Sequence, residues 1–64
     1  MKNGLYFGCL YRENHTDNIC KLIGVADSFY GLNSIAFFSY LTDVKLLYLP
    51  VEEFKSLFTL KNKL

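Results

Sequence analysis

The sequence predicts a mostly β domain: four or five short antiparallel strands curled into a small barrel and closed by one C-terminal helix. Three observations carry that expectation. Runs of β-branched, aromatic and aliphatic residues recur at short intervals. Clusters of Gly, Asn, Asp and Ser separate them, and these residues bond their own backbone or accept positive φ. The chain's one proline, Pro50, stands where the apolar spacing changes from strand-like to helical.

The first strand is expected over residues 5–12. The cluster Glu13-Asn14-His15-Thr16-Asp17-Asn18 then turns the chain. A second strand follows over residues 19–26, and residues 27–33 form a longer loop in which Gly31 suits positive φ. The third strand covers residues 34–40, and the fourth covers 44–49 after a tight connection at Thr42-Asp43. Pro50 stops the ladder because it has no N–H to donate, and it is tolerated in the first turn of a helix. Val51, Phe54, Leu57 and Phe58 fall on one helical face. Glu52 and Glu53 sit where the helix dipole favours negative charge. Leu60 begins a last short strand or frays.

Neither face of these strands is cleanly polar. In the first, Leu5, Phe7, Cys9 and Tyr11 share a side, and Tyr6, Gly8, Leu10 and Arg12 share the other. In the third, Ile35 and Phe37 oppose Ala36, Phe38 and Tyr40. A strongly bent barrel with the helix, a partner or a second copy over part of its outside would produce this. One register follows from a hairpin turning through residues 13–16: Arg12 faces Asp17, and Cys9 faces Cys20 with Cβ atoms about 4.5–5.5 Å apart. Such a pair is either redox-linked or zinc-binding, or simply two small buried hydrophobes kept reduced.

At 64 residues the chain makes one domain, near the lower limit for folding alone. Its 52% apolar content excludes disorder and supplies a core without metal or disulfide. Six Phe and five Tyr exceed what so small an interior hides, so some rings are expected outside. The net charge of +1 comes from scattered charges, whereas a nucleic-acid binder concentrates positive charge. The longest stretch without a formal charge, residues 28–42, is shorter than the roughly 20 residues of a spanning helix. Residues 1–14 lack the core and cleavage site of a signal peptide, so a cytoplasmic setting is expected. There the sequon Asn14-His15-Thr16 reads as turn chemistry.

Catalytic chemistry is thin. Zinc takes about four ligands, and the chain offers Cys9, Cys20 and His15 with no C-x-x-C. A Cys–His nucleophile pair would need His15 to reach a thiol on a diverging strand. Gly4, Gly8, Gly24 and Gly31 form no phosphate-binding spacing. Glu52 and Glu53 are adjacent, hence on different sides of a helix. The expectation is no enzyme, no cofactor and no metal.

Four segments carry a resemblance. They are Leu5-Tyr6, Leu22-Ile23-Gly24-Val25-Ala26-Asp27-Ser28, Ile35-Ala36-Phe37-Phe38-Ser39-Tyr40, and Tyr48-Leu49-Pro50-Val51-Glu52-Glu53-Phe54. In this order they resemble a family of small bacterial and phage proteins with an SH3-like barrel, over residues 4–58. The resemblance implies that fold and a phage or mobile-element setting, and it supplies no catalytic residue. The family usually has a Trp before an Arg-Pro pair. Here Tyr48 and Leu49 precede Pro50, so the family's ligand surface does not carry over.

A chain with surplus rings and no chemistry works by occupying a surface. The reading is therefore a protein-binding module, an accessory factor that inhibits or redirects a host protein of the defence or transcription machinery. Its candidate contact residues are Phe29 and Tyr30 in the long loop, with Tyr6, Tyr11 and Tyr40 on strands, because Tyr is enriched at binding hot spots. The alternative is RNA or single-stranded nucleic-acid binding, with bases stacked on tyrosines beside Arg12, Lys21 and Lys45. A homodimer burying the excess apolar face is a third reading.

Overall fold

A computed structural model describes residues 3–27 and 33–62. The chain is mostly β, with five antiparallel strands in one sheet and one short helix. The strands are β1 (Leu10–Glu13), β2 (Ile19–Ala26), β3 (Ile35–Tyr40), β4 (Asp43–Pro50) and β5 (Phe58–Asn62), and the helix α1 (Val51–Leu57) lies between the last two strands. Sheet order is β4-β3-β2-β1-β5.

The expected first strand is shortened from its N-terminal side. Gly4 and Gly8 take φ values of 79° and 74°, and Asn3 takes 55°, so this segment turns rather than extends. It still meets β2, since Gly8 N–H donates to Leu22 O (2.8 Å) and Leu22 N–H donates to Cys9 O (3.1 Å). The β1–β2 turn is longer than the sequence reading allowed. Asp17 N–H donates to Glu13 O (2.8 Å), Asp17 takes φ 62°, and Glu13 N–H closes on Asn18 O (2.8 Å). Arg12 therefore pairs with Ile19, and Tyr11 with Cys20. The expected Arg12–Asp17 and Cys9–Cys20 oppositions are replaced by a register two residues further on. A slip of two preserves the faces, so both thiols stay on the buried side, and both are free. Arg12 and Asp17 nevertheless approach through their exposed side chains, at 3.7 Å.

β2 and β3 form where the composition places them. The β2–β3 register shifts between Leu22 and Gly24, a bulge that sets Ile23 apart from the ladder. β4 ends on Pro50 opposite Ile35, as an edge strand permits for a residue without an N–H. The helix begins immediately after it. Glu52 and Glu53 lie in its first turn and Lys55 in its last, complementing the dipole.

Phe58 departs from the expected helical face. It takes φ −125° and ψ 147° and opens β5, yet its ring stacks on Phe54 at 4.4 Å and 9°. The switch from helix to strand keeps both rings in the core. Phe38 meets the pair from β3 at 5.3 and 5.2 Å, and Tyr11 meets Phe54 edge-on at 5.2 Å. Cys20, Leu22, Ala36 and Phe54 are fully buried around this cluster.

The sheet does not close into the expected barrel. β4 and β5 are its two edges, and no ladder joins them among the described residues. In place of a ladder between these edges, α1 connects them and buries Val51 and Phe54 in the core.

The turn at residues 14–17 is tied to the far end of α1. Thr59 Oγ1 donates to Asn14 Oδ1 (2.7 Å), and Asn14 donates through Nδ2 to Ser56 O (3.4 Å) and through N–H to Leu57 O (2.9 Å). Both ends of the sequon's asparagine amide are engaged, consistent with turn chemistry.

Candidate binding surface

The helix packs on one face of the sheet, and among the described residues nothing covers the other face over β2, β3 and β4. Alternation decides which side chains it carries. On β3, Ala36 and Phe38 point into the core, so Phe37 points away. On β4, Leu47 and Leu49 pack against the core, so Leu46 and Tyr48 point away, 64% and 67% exposed. The bulge on β2 leaves Ile23 half-exposed beside them.

The register brings these side chains together. Phe37 pairs with Tyr48 on one side and Gly24 on the other. The Phe37 and Tyr48 rings lie 6.1 Å apart at 47°. Gly24 contributes no side chain, and no atom lies within 4 Å of where its Cβ would stand. The result is an open groove of about 390 Å³ lined by Ile23, Gly24, Val25, Ala26, Phe37 and Leu46. Its walls are apolar; on β2, Lys21 pairs with Leu10 and Ser39 and makes no ion pair among the described residues.

Of the five tyrosine and phenylalanine positions singled out as contact residues, the three described ones fall away from this groove. Phe29 and Tyr30 lie outside the described residues. Tyr11 is 4% exposed, and its hydroxyl accepts the Tyr6 N–H at 3.0 Å. Its ring belongs to the core, because the segment before β1 folds over it. Tyr6 is half-buried and packs against the same core. Tyr40 is half-buried as well, and its hydroxyl donates to Glu13 Oε1 at 2.8 Å. Among the described residues the most exposed rings are Tyr48 and Phe7, the latter 48% exposed before β1. Reading residues 44–49 by alternation would have found Leu46 and Tyr48, since Leu47 and Leu49 occupy the opposite positions.

The titratable groups form no reactive constellation. Burial pushes the Cys20 thiol up to about 12, with the Glu13 charge adding to the effect, so it stays protonated and poorly nucleophilic near neutral pH. Burial, and donation to the Glu13 carboxylate, raise Tyr40 to about 12. Tyr11 is also raised, chiefly by burial. Among the described residues no group of three or more His, Cys, Asp or Glu gathers as a metal site would need. Two further depressions flank α1. One is lined in part by Ser34, Glu52 and Lys55, and the other by Tyr6, Lys55 and Phe58, and neither contains a His or Cys. No described helix is long and apolar enough to cross a membrane.

No family model, curated protein or solved structure matches the chain.

Proposed function

We propose that the chain is a non-enzymatic binding module that recognises another protein through the open face of β2, β3 and β4. One observation carries this reading. Ile23, Phe37, Leu46 and Tyr48 form a contiguous apolar patch that nothing among the described residues covers. Such patches mark interaction sites, and rigid aromatic anchors supply most of the energy there. An accessory role in the cytoplasm, inhibiting or redirecting a host protein, is proposed with it on the strength of the phage-family resemblance.

Nucleic acid fits this face less well. Arg12 lies 3.7 Å from Asp17 and Lys45 lies 3.9 Å from Asp43, so of the cations on β1, β2 and β4 only Lys21 is without an ion pair among the described residues. A stacking platform for a charged backbone needs more positive charge than that.

The experiment compares the native chain with Phe37→Ser and Ile23→Ser as baits in lysate of the cell that carries the protein. The control is Leu41→Ser, at an exposed site in the β3–β4 turn. The expected result is a prey retained by the native chain and the control, lost with both patch variants, and only weakly sensitive to salt. Equal retention by all four would overturn the proposal. Retention that collapses between about 50 and 200 mM salt would instead mark nucleic acid.

A further inference from the structure

We propose that the cleft between the segment before β1 and strand β5 binds a small apolar carboxylate, held by Lys55 and Tyr11. The cleft lies on the α1 side of the sheet, away from the open face of β2, β3 and β4, and either assignment can hold without the other.

The cleft has a volume of about 450 Å³, and its lining includes Leu5, Tyr11, Lys55, Phe58 and Leu60. Small-ligand sites have this size and character: mostly apolar walls with a few polar groups that fix orientation. The fold builds it from three pieces. Tyr11 pairs with Leu60, so both side chains point to one side of the sheet, and the Tyr11 ring meets Phe54 of α1 there. The segment before β1 folds over them. Lys55 stands exposed beside the turn at Gly4, where a Cβ would lie 3.2 Å from Lys55 Nζ.

Two polar groups in this lining are unspent. Lys55 makes no ion pair among the described residues. Tyr11 is 4% exposed, and its hydroxyl accepts the Tyr6 N–H at 3.0 Å but donates to no acceptor among the described residues. Buried hydroxyl donors ordinarily find an acceptor, and here a ligand oxygen would supply it. Burial raises the phenol above its ordinary value, so it keeps the proton it would donate.

These groups define the ligand. One ammonium and one hydroxyl donor suit one carboxylate, whose charge answers Lys55 and whose free lone pairs accept from Tyr11. A phosphate carries more charge and more acceptors than these two groups serve. The hydrocarbon body of the ligand lies against Leu5, Phe58 and Leu60. A peptide C-terminus brings amides that need partners of their own, and the Thr59 hydroxyl in the same lining is already donated to Asn14 Oδ1 at 2.7 Å. The assignment is therefore a free aliphatic or aromatic acid.

Titration of the full chain with octanoate at neutral pH, followed by amide NMR shifts, tests this. The expected result is saturable binding with a Kd of about 1 mM or tighter, as for a ligand of this size. The Tyr6 amide should move with it, because its N–H donates to the phenol that now donates onward. Octanamide, which has the same body without the charge, and Lys55→Met with octanoate should each bind about tenfold more weakly, whereas Lys55→Arg should bind like the native chain. Tyr11→Phe should weaken octanoate as well. If that variant fails to fold, the Tyr6 shift in the native chain and the Lys55 variants decide. No saturable shift by about 20 mM octanoate overturns the proposal. Equal binding of octanamide, or undiminished binding by Lys55→Met, also overturns it. Tighter binding of acetyl-Ala-Leu with a free carboxyl than of octanoate overturns it too, because the cleft would then take a peptide end. None of these outcomes touches the reading of the open face.

Discussion

Phe37 and Phe38 are neighbours in one strand and do opposite work. Phe38 is 3% exposed and touches Phe54, Phe58 and Tyr40 within a continuous ring cluster. Phe37 looks out over Gly24 and, among the described residues, meets the Tyr48 ring. The pleat alone separates them. The core side of the sheet gains its stability from buried helix and strand rings in mutual contact. The outer side holds apolar side chains that no described residue covers. In so small a protein one sheet serves as both core wall and contact surface, and substitutions on the two sides should separate stability from binding.

The largest effect should come from the core. Phe54 is fully buried and touches Tyr11, Phe38 and Phe58. Phe54→Ala should cost about 3–5 kcal/mol, a large share of what a domain this size possesses. Tyr48→Ala should stay within about 0.5 kcal/mol, as for an exposed residue. Urea denaturation of both variants measures the difference. A Tyr48→Ala cost approaching that of Phe54→Ala would show that the outer face is packed, not open.

The next largest effect should appear in alkali and again belong to the core side. Cys20 and Tyr40 hold their protons up to about 12 in the folded chain. Unfolded, they release them near the ordinary values of 9.0 and 10.0. Above pH 9 the unfolded state therefore binds fewer protons than the native state, and stability falls as pH rises. It is complete below pH 9 and is lost progressively as pH climbs towards 12. Thermal melts across this range should show the decline. Cys20→Ala should delay its onset to about pH 10, and Tyr40→Phe should flatten the part above pH 10. A flat profile for the native chain would mean that neither group is shielded as the packing implies.

Much of this architecture was readable from residue order. The strand over Ile19–Ala26, the third and fourth strands and the helix after Pro50 all follow from β-branched runs, turn residues and a change of period. What was not legible depended on backbone choices that composition leaves open. Asp17 adopting a left-handed φ lengthened the first turn and moved Cys20 from Cys9 to Tyr11. Phe58 satisfied the helical period and the core equally well as the first residue of a strand, so the helix end was misplaced. Barrel closure depended on strand pairing that composition leaves open, and β4 and β5 stay as the two edges of the sheet. Of the candidate contact residues, the strand tyrosines were weighed by type and not by face, while Phe29 and Tyr30 lie outside the described residues. Tyr11 and Tyr40 share the Phe38 side, while Tyr48 shares the side of Phe37.

The smallest effects are the sharpest probe of the contrast, because they come from a single methyl group. Gly8 has φ 74°, so Gly8→Ala forces an L residue into a left-handed conformation even though the space around it is free. That should cost about 1–2 kcal/mol and leave the outer face unchanged. Gly24 has no left-handed φ and equally free space, and it pairs with Phe37 in the groove. Gly24→Ala should stabilise the chain by about 0.4–1 kcal/mol by restricting the unfolded state. The same methyl enters the groove from its floor. It should therefore change affinity for the partner while Gly8→Ala, compared at equal folded fraction, does not. If Gly24→Ala raised stability and left binding untouched, the contact would have to lie on Leu46 and Tyr48 alone, away from the Ile23 side of the patch.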